Sequence, residues 1–288
     1  MASEIERIDT GEGIRTLLEE PRFELMPFES MDEQLEHLPE GAEVAITTSP
    51  TLGLEATIDW TERASERGYE IVPHVAARYV RDREHLEELT GRLTDAGVTD
   101  VFVPGGDREE PVGEFSSAYE LLSALDELDS GFDDVGITGY PEGHAFLDDE
   151  VLAESMAEKE PYATYIVTQL CYDAETILEW IEDVRDRGVD LPVEIGIPGV
   201  MKYQRLLGIS KKVGVGDSVR FLQKTTGVLD FVRRFVGARG MYTPADLVEG
   251  IAPYATDPYY DVRGVHIYAF NQVLDLESWR AETLDQHR

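Results

Sequence analysis

The sequence has little of several residue types and features that define whole classes of protein. A single cysteine, Cys171, among 288 residues excludes an intramolecular disulfide and a cysteine-rich metal site. No apolar run reaches the ~18 residues that a membrane-spanning helix needs. The first 15 residues are acidic and lack the basic and apolar regions of a signal peptide. These absences predict a cytoplasmic protein with no membrane association.

Positive charge is also scarce. Against 59 Asp and Glu stand 25 Lys and Arg, only five of them Lys, so the formal net charge is −34. Such a surface repels nucleic acid. It is typical of a halophilic protein, because in molar salt a Debye length of about 3 Å screens self-repulsion; an ordinary acidic cytosolic protein is the alternative. With 42% hydrophobic residues the chain can still build a core.

The order of apolar and amphipathic segments indicates the fold class. No linker divides the chain, so we predict one domain over residues 1–288. Strands are predicted at Phe23–Phe28, Glu43–Thr48, Glu70–Val75, Asp100–Pro104, Asp134–Thr138, Tyr165–Leu170, Val193–Ile197 and Gly264–Phe270. Helices are predicted at Gly53–Arg67, Arg83–Ala96, Ser116–Asp129, Asp149–Glu158 and Asp173–Arg187. This alternation predicts an α/β fold of the (β/α)8 TIM-barrel type.

Two details refine that prediction. About 65 residues separate the last two strands, so we expect extra helices between strands seven and eight. An open doubly wound sheet is the alternative fold, but it should carry a glycine-rich turn after its first strand. The residues after Phe28 are Glu-Ser-Met-Asp-Glu, without glycine. The barrel is therefore favoured.

Polar residues concentrate at the predicted C-terminal ends of the strands, where barrel enzymes place their chemistry. Each has a structural alternative. Glu24 lies in an apolar run, where its carboxyl group would either form a structural ion pair or have a role in function. Asp107 could cap a turn, and Gln169 could bond the backbone. For the histidines a core position is the alternative, and we expect a structural role for His266; the others at strand ends are His74 and His144.

The histidine spacing argues against a metal site. Metal-dependent barrels generally present two histidines from the first strand, which here reads Phe-Glu-Leu. No His-x-His or His-x-x-x-His pair occurs. We therefore predict no metal site and keep a metal-dependent hydrolase or lyase as the alternative.

Taken in order, the strand-end motifs resemble the methylenetetrahydrofolate reductase family. The matching segments are Phe23-Glu24-Leu25-Met26-Pro27, Pro73-His74, Gly105-Gly106-Asp107, Gly139-Tyr140-Pro141-Glu142-Gly143-His144, Val167-Thr168-Gln169-Leu170, Pro198-Gly199-Val200-Met201, and His266-Ile267-Tyr268 with Asn271. Each motif alone is weakly specific, but seven in order form a strong signal. The resemblance implies FAD-dependent reduction of methylenetetrahydrofolate to 5-methyltetrahydrofolate, a one-carbon reaction that serves methionine biosynthesis.

The resemblance also implies roles for individual residues. Glu24 would be the general acid, which agrees with the raised pKa expected of a carboxyl group in an apolar strand. Asp107 would bond the pterin beside the flavin. The implied FAD-binding residues are Thr47, His74, Gly105, Gly106, Asp107, Tyr140, His144 and Lys159, and the implied folate-binding residues are Gln169, Tyr203 and Phe270. NAD(P)H or an electron-donor protein would supply electrons, and we expect a homo-oligomer.

Two departures from the family and one charged segment leave alternatives open. Gly105 and Gln272 stand where the family commonly has Arg. A flavin-free barrel that partners another reductase is therefore a second alternative. Residues 201–240 carry a net charge of +7 within a chain of −34. That segment either pairs with acidic helices or binds the anionic folate tail or an acidic donor protein.

Overall fold

The computed structural model describes residues 9–202, 204–206, 208 and 241–288. Eight parallel strands form its framework, and all eight predicted strands are confirmed. They are β1 (Arg22–Leu25), β2 (Glu43–Ile46), β3 (Glu70–Pro73), β4 (Asp100–Phe102), β5 (Asp134–Gly139), β6 (Tyr165–Thr168) and β7 (Val193–Pro198), followed after a separate antiparallel pair, β8 (Met201–Lys202) and β9 (Met241–Tyr242), by β10 (Val262–Tyr268).

The strand order shows how the sheet curls. Neighbouring strands follow the order β3-β2-β1-β10-β7-β6-β5-β4. The two outer strands meet through a parallel bridge between His74 and Phe102, and the Val75 N–H donates to the Phe102 carbonyl at 2.8 Å. The sheet is thus a nearly closed barrel, and the predicted (β/α)8 architecture is confirmed.

Helices surround the barrel. They are α1 (Thr10–Leu18), α2 (Met31–Leu35), α3 (Gly53–Ser65), α4 (Arg83–Asp95), α5 (Ala118–Glu127), α6 (Asp149–Lys159), α7 (Ala174–Asp186), α8 (Ala245–Ile251) and α9 (Val273–Gln286). The five predicted helices are confirmed, with ends displaced by at most two residues. The extra helical segments expected before the last strand are present as α8 and the 3-10 helix Ala252–Tyr254. Within the described ranges, no helix combines the length and apolar character that crossing a membrane requires.

Several strands end earlier than predicted, and proline explains two of these ends. β1 ends at Leu25 rather than Phe28, and β4 ends at Phe102 rather than Pro104. Pro27 and Pro104 lack the N–H that would continue the ladder. The residues after these early ends belong to loops at the C-terminal mouth of the barrel.

The alternation of side chains along β1 separates the outer core from the barrel interior. Phe23 and Leu25 are buried against the surrounding helices, in the same apolar cluster as Leu17 of α1. Arg22 and Glu24 therefore point to the opposite, inner side. β1 thus sends two ionisable groups into the interior of the barrel.

Charged residues fill the N-terminal end of the barrel, which we call the barrel floor. Its members are Arg22, Glu43, Asp100, Asp134, Tyr165, Glu194 and Arg263. The buried Arg22 guanidinium lies 2.8 Å from Asp100 and 2.9 Å from Glu194, and it donates to the Tyr165 hydroxyl at 2.7 Å. Buried charges need such partners, so the floor is a paired network.

Candidate active site

Glu24 lies two residues beyond Arg22 on β1, closer to the mouth of the barrel. Its Oε2 atom is 3.1 Å from Nε2 of His266 on β10 and 3.9 Å from Nε2 of His74, the residue after β3. Only 11% of the Glu24 side chain is exposed. Three strands therefore bring one carboxyl group and two imidazole rings together inside the barrel.

Burial sets the protonation of this group. It raises the pKa of Glu24 from 4.5 to about 7, because a carboxylate loses its hydration there, while His74 acts in the opposite direction. The pKa of His74 falls to about 4 and that of His266 to about 3, in both cases chiefly through burial. Both rings are thus neutral near pH 7, where Glu24 can still hold a proton.

The two histidines differ in their surroundings. Nδ1 of His266 faces Oε2 of Glu194 in the barrel floor at 3.9 Å, so this ring lies between two carboxyl groups. Nε2 of His74 is buried and has no hydrogen-bond partner among the described residues. The prediction of no metal site is based on the absence of histidine pairs close in sequence. In the structure, Glu24, His74 and His266 come from three different strand segments, and their possible ligand atoms lie within 4.8 Å of one another.

Asn271 holds the start of the loop after β1. Its Oδ1 accepts from the Met26 N–H at 2.8 Å, and its Nδ2 donates to the Met26 carbonyl at 3.1 Å. Asn271 has φ 54°, a left-handed conformation that asparagine tolerates better than most residues. These hydrogen bonds attach the loop after β10 to Met26, two residues beyond Glu24. Asn271 belongs to one of the strand-end motifs, but the sequence alone indicates no role for it.

The glycine loop after β4 is open toward solvent. A Cβ atom at Gly105 would meet no atom within 4 Å, whereas Gly106 has φ +91° and lies against Tyr79. Asp107 is exposed, and its Oδ1 accepts from the Tyr79 hydroxyl at 2.8 Å. Burial raises the pKa of Tyr79, and the bond to Asp107 raises it further, to about 12. Tyr79 is a partner of Asp107 that the sequence did not indicate.

A cavity of about 540 Å³ lies beside the barrel mouth, between the loop after β5 and helices α6 and α7. Gly105, Tyr140 and Lys159 line it. Lys159 is only 6% exposed, its Nζ is 3.5 Å from Thr138 Oγ1, and burial lowers its pKa to about 8. The exposed His144 packs edge-on against Tyr140, with ring centroids 5.2 Å apart. The structure thus brings these predicted FAD-binding residues together.

The remaining predicted site residues lie along the barrel mouth. Thr47 follows β2 and is half-buried, and its N–H donates to the Leu25 carbonyl at 3.0 Å. Gln169 follows β6, and its Oε1 accepts from the Leu170 N–H at 2.7 Å. Phe270 follows β10 and stacks on Tyr268, with centroids 6.3 Å apart. Tyr203 and most of the basic segment 201–240 lie outside the described residues.

The structure is a (β/α)8 barrel with a buried carboxyl group that can hold a proton near neutrality inside it. The sequence profile of the methylenetetrahydrofolate reductase family matches residues 24–275. The chain belongs to this family.

Individual relatives match shorter regions. Methylenetetrahydrofolate reductase 1 of Schizosaccharomyces pombe is 30% identical over 155 residues, which cover 51% of this chain and 26% of that protein. Methylenetetrahydrofolate reductase (NADH) 1 of Arabidopsis thaliana is 23% identical over 212 residues, 65% of this chain and 34% of that protein. The matching regions thus span about a quarter to a third of these curated relatives. A solved oxaloacetate acetylhydrolase aligns with a TM-score of 0.49 at 11% identity, over 96% of this chain and 86% of its own.

Proposed function

We propose that this barrel reduces 5,10-methylenetetrahydrofolate to 5-methyltetrahydrofolate and that Glu24 is the general acid of the reaction. Family membership supports the substrate class. The observation that carries the role of Glu24 is its burial beside two neutral histidines, which keeps its pKa near 7. A general acid works best when its pKa lies close to the working pH.

The chemistry assigned to Glu24 is a proton transfer. The bridging methylene group of the folate must first lose its bond to N10, and a proton on N10 makes that nitrogen a better leaving group. Glu24 would donate this proton and become a carboxylate next to the cation left on the substrate. Neutral His266, 3.1 Å away, would hold the carboxyl group in place. Asp107, Gln169, Phe270 and Tyr203 would contact the folate.

The residues beside the barrel mouth fit FAD. Lys159 is a buried amine on the wall of the cavity, and its Nζ lies 3.5 Å from Thr138 Oγ1. A diphosphate group would compensate such a charge. Gly105 would let a large planar group approach the backbone, since the residue has no side chain and even an added Cβ atom would meet nothing within 4 Å. Thr47, His74, Gly106, Asp107, Tyr140 and His144 would hold the rest. When bound, reduced FAD would supply the hydride.

Substitution of Glu24 tests the proposal. Glu24→Gln keeps the size of the side chain but removes the transferable proton. We expect methylenetetrahydrofolate to reoxidise the chemically reduced enzyme about 10²- to 10⁴-fold more slowly in this variant. Reduction of the oxidised flavin by NADH or NADPH should stay within a factor of about two. Glu29→Gln, which removes an exposed carboxylate nearby, is the matched control.

Two results would contradict parts of this proposal. An equal loss in both half-reactions would give Glu24 a structural role. If the purified protein shows no flavin absorbance and does not bind added FAD, the flavin-free partner subunit becomes the better description. We also propose that the protein is cytoplasmic, is adapted to high salt and serves methionine biosynthesis. We further propose that it forms a homo-oligomer, and sedimentation velocity at low and high KCl measures its oligomeric state.

A further inference from the structure

The geometry of Glu24, His74 and His266 matches that of a site for a transition-metal ion. Oε2 of Glu24 lies 3.1 Å from one imidazole Nε2 and 3.9 Å from the other, and the ligand atoms all lie within 4.8 Å. Two ligand atoms of a tetrahedral Zn²⁺ site are about 3.4 Å apart, given bonds of about 2.0–2.1 Å. Small side-chain movements would therefore bring all three atoms to bonding distance of one ion.

A buried ring nitrogen without a hydrogen-bond partner in the described part of the chain lies beside this space. His74 is 7% exposed, and its Nε2 has no hydrogen-bond partner among the described residues. Buried polar atoms without partners are rare, because leaving them unpaired costs free energy. The ring is neutral near pH 7, so its nitrogen is available as a ligand. A metal ion would supply the missing partner.

The surroundings of His266 fit the same role. A metal-binding histidine usually donates its other ring N–H to a carboxylate, which fixes the ring. Nδ1 of His266 faces Oε2 of Glu194 at 3.9 Å, and Arg22 holds that carboxylate at 2.9 Å. At 3.9 Å the two atoms do not form a hydrogen bond, but a movement of about 1 Å would give His266 the carboxylate partner that a metal-binding histidine commonly has.

The donor set indicates which ions would bind. Two imidazole nitrogens and one carboxylate oxygen suit Zn²⁺, Co²⁺ and similar ions, whereas Mg²⁺ and Ca²⁺ prefer oxygen ligands alone. Three protein ligands leave a fourth position open. One carboxylate also offsets part of the charge that a divalent ion would bring into the buried site.

We propose that Glu24, His74 and His266 bind one divalent ion of the Zn²⁺ class, and that this ion inhibits the reductase. An ion on Glu24 requires the deprotonated carboxylate, whereas the proposed catalysis requires the protonated carboxyl group, so binding and catalysis exclude one another. The inhibitory half of the proposal rests on the proposed function. The binding half does not, because it depends only on the three side chains.

Binding is tested by Co²⁺ titration of the purified full chain after treatment with a chelator. We expect the intense visible absorption of a four- or five-coordinate Co²⁺ site to saturate at one equivalent, and we expect Zn²⁺, but not Mg²⁺, to abolish it. His74→Ala should weaken binding by more than ~100-fold, beyond the loss typical of a residue behind the ligands. His37→Ala, a histidine outside the site, should bind Co²⁺ as the unchanged chain does.

Different results overturn different halves of the proposal. A chain without the saturable band, or a band that survives in both His74→Ala and His266→Ala, refutes the metal site; circular dichroism of each variant confirms that it folds. If Zn²⁺ binds at one equivalent but leaves the folate reaction unchanged, the inhibitory half is wrong. If no folate reduction occurs at all, the proposed function fails together with the inhibitory half, while the Co²⁺ spectrum still decides the site.

Discussion

The raised pKa of Glu24 predicts that this group, the proposed general acid, also destabilises the protein at high pH. The carboxyl group titrates near 4.5 when exposed and near 7 in the folded chain. Folding therefore binds a proton between these values, and stability falls as the pH rises through about 7. Below pH ~4.5 the Glu24 carboxyl group is protonated in both the folded and the unfolded chain, so burying it costs no free energy of ionisation.

The structure gives the size of this effect. Between 4.5 and about 7 lie about 2.5 pH units, and each is worth about 1.4 kcal/mol. At pH 8.5 the buried carboxylate should cost about 3 kcal/mol of unfolding free energy. The glutamine side chain of Glu24→Gln cannot ionise. The unfolding free energy of this variant, relative to that of the unchanged chain, should therefore rise by about 3 kcal/mol between pH 4.5 and pH 8.5.

Denaturant unfolding at fixed high salt measures the difference at both pH values. Because the two chains are compared at each pH, titration of all other groups cancels to first order. Glu29→Gln removes the same formal charge from an exposed position and is the control. A relative stability of Glu24→Gln that stays constant from pH 4.5 to 8.5 would refute the reasoning. An equal change in Glu29→Gln would assign the effect to net charge instead of burial.

Two further substitutions test the groups around Glu24. Arg22→Met should lower the unfolding free energy by about 3–5 kcal/mol, because the buried Asp100 and Glu194 lose their short contacts to Arg22 and keep the longer 3.6 Å contacts to Arg263. Denaturant unfolding checks this, and a loss below 1 kcal/mol would contradict it. Asn271→Ala removes two hydrogen bonds to Met26 and should cost about 1–3 kcal/mol. Folate reduction should also slow in Asn271→Ala, whereas an unchanged rate would mean that the loop clamp does not position Glu24.

The fold was largely predictable because each barrel strand is a short apolar run with its own boundaries. Helix α1 was missed, and its sequence explains why. The segment Thr10–Leu18 contains two glycines, which lower helix propensity, in its first turn and a half. The Asp9 side chain accepts from the Gly11 N–H and caps the helix, and Leu17 and Leu18 are buried against the barrel. Tertiary packing thus overrides a weak local preference.

The site was predictable only in part, because contacts between strands depend on register. Glu24 attracts attention in the sequence as a lone charge in an apolar strand. His266 looks structural by the same reasoning, since it lies within a strand of apolar residues. Its approach to Glu24 follows from the pairing of Arg22 with His266 and of Glu24 with Tyr268. Nothing in one sequence states that register, so the three-residue cluster could not be derived from spacing.

His266 connects two carboxyl groups that the barrel treats differently. Glu194 and Glu24 are both buried, and burial raises their pKa values to about 8 and about 7. Arg22 pairs with Glu194 at 2.9 Å, whereas no Lys or Arg of the described ranges forms an ion pair with Glu24. At Glu194 burial, together with the nearby Glu43 and Asp100, outweighs the lowering effect of Arg22 and Arg263 on the pKa, whereas at Glu24 burial is opposed by His74. The two imidazoles that face Glu24 are neutral near pH 7, and its own pKa lies there, so this carboxyl group can gain and lose its proton near neutrality.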